Sequence, residues 1–368
     1  MRKRILRAAA ATVAAALFLS VCASALPELS AQKAILTDAA SGRVLYEKNA
    51  DDTSLIASTT KIMTALLVCE RCSLTARVKI PKEAVGIEGS SMYLREDEVL
   101  TVEELLYGLM LQSGNDAAVA LAIFCAGTEG DFVTLMNEKA SALGLRNTHY
   151  ANPNGLDHDG NYSTAADLAR LAAYAMENPD FYRIVSSKTV AAGGRSLRNH
   201  NKLLFRYPGA VGVKTGYTKA AGRILVSAAE RDGRRLIAVT IHAPDDWNDH
   251  AALLDYGFSQ YQTVRLLKSG QHVQNVPVVG GTEPFVAVAA AEDFPYPMAE
   301  WETYSVHLRL PAFLYAPVLA GREAGTAEIR IGGKTVGTVP LYYVGTVALG
   351  TEKRERSWIE KWKNGFKN

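Results

Sequence analysis

The chain carries almost no net charge. Forty Lys+Arg stand against 38 Asp+Glu, for a formal +2 over 368 residues, which excludes the broad basic footprint that nucleic-acid binding needs. Cysteine is scarce, with only Cys22, Cys69, Cys72 and Cys125. Loss of an N-terminal leader would leave an odd number, so no disulfide scaffold is implied. Cys69-Glu70-Arg71-Cys72 has redox-motif spacing, but it closes a helical pattern instead of opening a helix after a strand, and no second pair completes a zinc site. These cysteines read as small apolar residues. The seven histidines include no His-x-x-x-His, which argues against a metallocarboxypeptidase, and neither metal nor cofactor is expected. Apart from the run Ala8 to Val21, which is short for a bilayer core, no apolar run suggests a span. Internal repeats are missing, and low complexity is confined to the Ala-rich start.

That start is itself informative. Arg2, Lys3, Arg4 and Arg7 precede the apolar run, and Ala23-Ser24-Ala25 offers the small residues of a cleavage site. Residues 1–25 therefore read as a secretory signal, and the chain is expected outside the cytoplasm. A lipoprotein reading of Cys22 is disfavoured by the bulky Val21 before it.

With 48% hydrophobic and 21% charged residues, the remainder can bury a full core over two domains. Ala34–Leu36 and Val44–Tyr46 flank a turn at Ser41-Gly42 and read as a hairpin. Apolar residues nearly surround the axis from Thr60 to Val68, as in a core helix. Thr101-Val102-Glu103-Glu104 is a capping box opening a helix through Leu111. Further helices are expected over Asp116–Cys125, Thr164–Met176, and a last one ending near Gln260. Val211–Tyr217, Ile224–Ala229 and Leu236–Ile241 read as an antiparallel meander turning at Asp232-Gly233. Helices between an early hairpin and late strands point to an α+β catalytic domain over 26–262. Short strands broken by Gly and Pro suggest a small β-rich domain over 263–345. The segment 346–368 ends in Trp358, Trp362 and Phe366 at helical spacing, with Lys361, Lys363 and Lys367 around them. It suits an interfacial helix on an anionic membrane surface and is too short and charged to span.

Ser58-Thr59-Thr60-Lys61 puts a hydroxyl and an amine on one face of a helix start. An apolar surround would desolvate Lys61 and favour the neutral amine that accepts a serine proton, while the helix dipole favours an oxyanion at Ser58. The same spacing recurs at Ser30-Ala31-Gln32-Lys33 without a helix, so spacing alone does not single out Ser58. Two further elements do. Ser113-Gly114-Asn115 lies between two expected helices, and Lys214-Thr215-Gly216 lies on a strand where glycine admits substrate backbone.

In this order, the three elements resemble the penicillin-binding serine acyltransferases, with their Ser-x-x-Lys, Ser-Asp-Asn and Lys-Thr-Gly motifs. The Ser-Gly-Asn form is similar to that of the low-molecular-mass D-alanyl-D-alanine carboxypeptidases. The likeness extends to Ile56–Thr64, Ser91–Leu94, Asn152–Leu156, Tyr162–Ala165 and Val213–Thr218, and covers about Gln32 to Gln260. It implies that Ser58 attacks the carbonyl between two D-alanines of a peptidoglycan stem pentapeptide, with Lys61 as base and Ser113 relaying the proton to the leaving amine. Asn115 would orient the substrate amide, and Lys214 and Thr215 would hold the carboxylate region. Gly216 would let the backbone approach, and the N–H groups of Ser58 and Tyr217 would form the oxyanion hole. β-Lactams would then be covalent inhibitors. Relatives often carry an Arg before the Leu-Leu-x-Tyr-Gly-Phe segment as a carboxylate clamp. Asp245-Asp246-Trp247 occupies that neighbourhood here, and Arg223 is the candidate substitute. A β-lactamase is less favoured, because no Glu-x-x-x-Asn segment follows Ser-Gly-Asn and such enzymes lack an added β domain. A non-enzymatic envelope or antibiotic-sensing protein is disfavoured by the intact reactive residues.

Overall fold

A computed structural model describes residues 26–350. Residues 1–25, where a signal is expected, and the part of the expected tail from 351 onward lie outside the described residues. Two compact units divide between Gln260 and Tyr261.

The first unit combines a five-stranded antiparallel sheet with a helical subdomain. Strands β1 (Lys33–Asp38) and β2 (Val44–Lys48) form the early hairpin, and β3 (Ala210–Thr218), β4 (Gly222–Arg231) and β5 (Arg234–Ile241) the late meander. The order is β2-β1-β5-β4-β3, which leaves β3 at an edge. Asp232 and Gly233 both take positive φ between β4 and β5, as a tight two-residue hairpin turn requires. Six successive residues of β5, Leu236 to Ile241, are buried. A run without alternation means that the sheet is covered on both faces. The covers are α7 (Asp246–Gln260) and α5 (Ala165–Ala175), both packed on β5 and β1. In α7, fully buried His250 lies 2.6 Å from Ser227 and 2.9 Å from Thr240, and burial holds its pKa down to about 3.

The helical subdomain is arranged around α1 (Lys61–Arg71), in which every residue from Lys61 to Val68 is buried. It touches α2 (Val102–Leu111), α3 (Asn115–Ala126), α4 (Glu129–Ala142), α5 and α6 (Pro179–Ser186). Each fully buried Leu, Ile or Met on such a helix contributes roughly 1.5–3 kcal/mol. The capping box of α2 forms as its sequence requires: Glu104 N donates to Thr101 Oγ1 at 3.2 Å, and Thr101 N to Glu104 Oε2 at 2.8 Å. Among the described residues three α-helices were not anticipated, one of them the single turn Leu203–Arg206. In α4 only Phe132, Met136 and Ala140 are buried, a stripe too thin to stand out from its polar surround. In α6, Pro179 occupies the first turn and Asn178 Oδ1 accepts from the N–H groups of Asp180 and Phe181, so a Pro that reads as a breaker starts the helix.

The second unit is all β. A six-stranded sheet runs Tyr304–Arg309, Glu323–Ile331, Lys334–Tyr343, Phe285–Ala290, His272–Val279 and Leu314–Tyr315, beside the pair Tyr261–Leu267 and Phe294–Ala299. Val276, Val288, Ile329, Val339 and Leu341 centre its core, and Gly332-Gly333, both at positive φ, turn the hairpin. Helices and an antiparallel sheet followed by a small all-β unit are the expected α+β class.

Candidate active site

Ser58 lies in a 3-10 turn, Ala57–Thr60, and the α-helix begins only at Lys61. The nucleophile candidate thus sits just before the helix expected to carry it. The turn is held by backbone contact: Gly155, at φ +83°, approaches so closely that an added Cβ would lie 2.0 Å from Ala57 O. Ala57 itself takes φ 45°, a strained value for a residue with a side chain.

Lys61 is fully buried. Its Nζ is 3.0 Å from Ser58 Oγ and 2.7 Å from Asn115 Oδ1, and it donates to Asn154 O in a short bond. Burial, reinforced by Lys214, holds the ammonium well below the usual lysine range, against a weaker pull from Asp116. Asn154 belongs to a turn in which Asn152 Oδ1 accepts from Gly155 N at 2.7 Å, and Pro153 O accepts from Thr64 Oγ1 at 2.7 Å. One short segment therefore supports both the serine turn and the lysine.

Ser113 lies at the middle of the α2–α3 connection, at φ 62°. Asn115 is the first residue of α3 and also donates through Nδ2 to Glu88 O at 2.5 Å. Next to it, buried Asp116 accepts from Ser91 Oγ and from the N–H groups of Met92, Leu94 and Ala117, at 2.6–3.0 Å. This carboxylate fastens the Ser91–Leu94 loop to the subdomain.

Lys214, on edge strand β3, is also buried, with Nζ 3.1 Å from Ser113 Oγ and 2.9 Å from Thr215 O. Desolvation lowers its pKa to about 7. Gly216 passes beside the serine turn, and a Cβ there would lie 3.3 Å from Ser58 N. Tyr217 is 65% exposed.

These elements converge on a cleft of about 340 Å³. Ser58, Ser113, Thr215, Gly216, Tyr217 and Arg223 all line it, while Lys61, Asn115 and Lys214 lie beneath. Arg223 reaches in from β4. Its Nε and Nη2 bind Asp246 in the first turn of α7, at 2.9–3.2 Å, and its guanidinium lies 5.9 Å from the Trp247 ring centre. The residues Asp246 and Trp247, noted in the sequence only as a departure, thus hold an arginine from another element. The Ser30-x-x-Lys33 echo does not come together. Ser30 Oγ donates to Asp249 Oδ2 at 2.8 Å, whereas Lys33 Nζ donates to Thr53 O and Ser54 Oγ at 2.6 Å. Ser30 lies in a bend before β1, which begins only at Lys33, so no helix brings the two side chains onto one face.

Sequence reasoning did not single out the supporting residues Asp116, Asn154 and Gly155. Asp116 carried a usable signal: an acid leading the apolar stretch Ala117–Ala122, all of it buried, must find partners.

Residues 20–245 match the model of the D-alanyl-D-alanine carboxypeptidase family, and residues 261–348 that of the penicillin-binding protein 5 C-terminal domain. The chain is 34% identical to the D-alanyl-D-alanine carboxypeptidase DacF of Bacillus subtilis, over 84% of either chain. It is 35% identical to DacC of Escherichia coli, over 88% of this chain and 86% of that one. Among solved structures, penicillin-binding protein 5 from Haemophilus influenzae superposes with a TM-score of 0.76 at 29% identity, covering 88% of this chain and 99% of the other.

Proposed function

The chain belongs to the D-alanyl-D-alanine carboxypeptidase family, and from that premise we propose that Ser58, Lys61 and Ser113 carry its serine-type hydrolysis of peptidoglycan stem peptides. The observation that carries this assignment is the set of partners around Lys61 Nζ. A neutral amine has two N–H bonds and one lone pair, and the site offers two acceptors, Asn115 Oδ1 and Asn154 O, and one hydroxyl, Ser58. With both N–H bonds occupied, the lone pair is left for the serine proton.

Ser58 Oγ attacks the carbonyl between the two D-alanines as its proton passes to Lys61. The tetrahedral oxyanion is met by the N–H groups of Ser58 and Tyr217. Ser113, bonded to Lys214, relays the proton taken up by Lys61 to the departing amine, the C–N bond breaks, and terminal D-Ala leaves with Lys61 neutral again. Water then hydrolyses the ester and restores Ser58. Asn115 orients the substrate amide, Thr215 and Gly216 accept the backbone along β3, and Arg223 offers Nη1 to the terminal carboxylate while Asp246 occupies Nε and Nη2. In Ser58→Ala, labelling by a fluorescent penicillin and D-Ala release should both disappear. Labelling that persists would overturn the assignment.

For location, the leader-like start and the aromatic-lysine tail support a peripheral enzyme on the outer face of the cytoplasmic membrane. Full-length protein should sediment with anionic vesicles and a form ending at Arg356 should not. Equal partitioning would remove the anchor.

A further inference from the structure

Beside the catalytic cleft lies a second hollow, of about 450 Å³, lined by Gln112, Arg198, Asn199, His200, Lys202 and Phe205. His200 and Lys202 line both spaces. Its near wall is bonded to the segment that presents Ser113: Gln112 Nε2 donates to Arg198 O at 3.0 Å, and His200 N to Leu111 O at 3.2 Å. Asn199, buried, anchors the wall from behind through Nδ2 to Val185 O and Ser187 O.

The hollow gathers cations around one aromatic ring. Arg183, Arg195, Arg223, Arg234 and Arg235 of the same unit each pair with a carboxylate. Arg198, Lys188 and Lys202 have no carboxylate partner among the described residues. Arg198 and Lys188 instead stand over the Phe205 ring, at 4.8 and 5.9 Å from its centre, and Lys202 stands 5.9 Å from that of Trp247. Phe205 is 41% exposed, so cations and an aromatic wall are open to a ligand together. Like charges gathered without counter-ions attract an anion.

The catalytic reading fixes which part of the substrate meets this hollow, and the inference rests on that reading. Ser113 serves the leaving amine, so a space whose wall includes Gln112 lies on the leaving-group side, away from the N–H groups of Ser58 and Tyr217. We propose that the hollow is a subsite for the released residue, and that it selects a leaving D-amino acid bearing a second carboxylate in its side chain. Such a residue presents its α-carboxylate to Thr215 and Arg223, as D-Ala does, and its side-chain carboxylate to Arg198 and Lys202, the two cations that line the hollow.

The test uses peptides with one common acyl part and D-Ala, D-Gln or D-Glu as the terminal residue. D-Glu should be released with a kcat/KM roughly five- to tenfold above that for D-Gln at low salt, and the gap should narrow as salt rises. Arg198→Glu should erase or reverse the gap while D-Ala release stays within about twofold, and Arg198→Lys should keep the gap. Equal rates for D-Glu and D-Gln in the unaltered enzyme, or a gap that survives Arg198→Glu, would overturn the subsite while leaving the catalytic reading intact. Failure to release any of the three residues would remove both.

Discussion

The unit through Gln260 buries lysines, aspartates, asparagines and a histidine, whereas the described part of the unit from Tyr261 buries one charged side chain, Glu328. Glu328 sits between Arg309 and Arg330, at 2.5 and 2.8 Å, which hold its carboxyl below the usual range. In the first unit the buried ions are of three kinds, the first being aspartates paired with an arginine, as Asp38 is with Arg234 and Asp246 with Arg223. Asp116 has four hydrogen-bond donors. Lys61 and Lys214 have hydroxyls and carbonyls, but no carboxylate within ion-pair distance. A cation buried without a counter-ion destabilises the fold. The contrast teaches that the first unit tolerates this cost where proton transfer needs a neutral amine, while the second, with no such need, packs valine, isoleucine and leucine.

The sharpest way to break this contrast is to make the first unit resemble the second. Lys61→Met should lower acylation by a penicillin roughly 10⁴-fold or more, yet melt several degrees higher, since an apolar chain replaces a buried amine that lacks a counter-ion. Retained acylation or a lower melting temperature would contradict the account. The pH dependence has a fixed sign. Folding depresses both lysines, so between about pH 7, where Lys214 titrates, and the ordinary lysine value of 10.5 the unfolded chain binds more protons. The contribution of these two lysines to stability therefore rises with pH across that window, opposed above about pH 9 by Cys69, whose thiol burial pushes up to about 12. Acylation should fall as acid protonates Lys61, and the rise in stability should be shallower in Lys61→Met. Melts and acylation rates across pH 6–10 would check both.

A smaller effect is expected where the first unit does pair its ions. Asp246→Ala releases Arg223 from its bidentate partner, and kcat/KM for a D-Ala-D-Ala peptide should fall about tenfold, chiefly through KM, with penicillin still able to label Ser58. A drop confined to kcat would show that Arg223 does not hold the carboxylate. The smallest effect belongs to the second unit. Glu328→Ala should leave acylation unchanged and move its melting by about a degree or two. A large loss of acylation would refute the separation of roles.

The sequence made legible what has a short period or a fixed turn. The β3–β5 meander and the α2 capping box could be read because Asp232-Gly233 and Thr101/Glu104 act within a few residues. The reactive side chains were legible for a similar reason, each being chemically marked within a triplet or quartet. The thin apolar stripe of α4 and the Pro179 start of α6 were not, because tertiary contact and not pattern decides them. The segment Asn152–Leu156 stood out only as a likeness and its supporting role was not legible, since Asn154 O and Lys61 Nζ meet across many residues through a backbone atom that every residue possesses. Arg223 was legible only as a substitute, and its fixation by Asp246 emerged from a strand and a helix start meeting at one end of the sheet.

The contact between Gly155 and Ala57 has a consequence for how such a chain tolerates change. A methyl group at residue 155 would occupy space already filled by the carbonyl of Ala57, at a backbone angle that disfavours side chains. The turn below Ser58 would have to move. Gly155→Ala would thus retain every reactive side chain and still misaim the nucleophile, a silent lesion in any inventory of functional groups. Part of what defines this catalyst is one carbon atom that residue 155 must lack, and drift in the gene that adds it would disarm the enzyme as surely as loss of the serine.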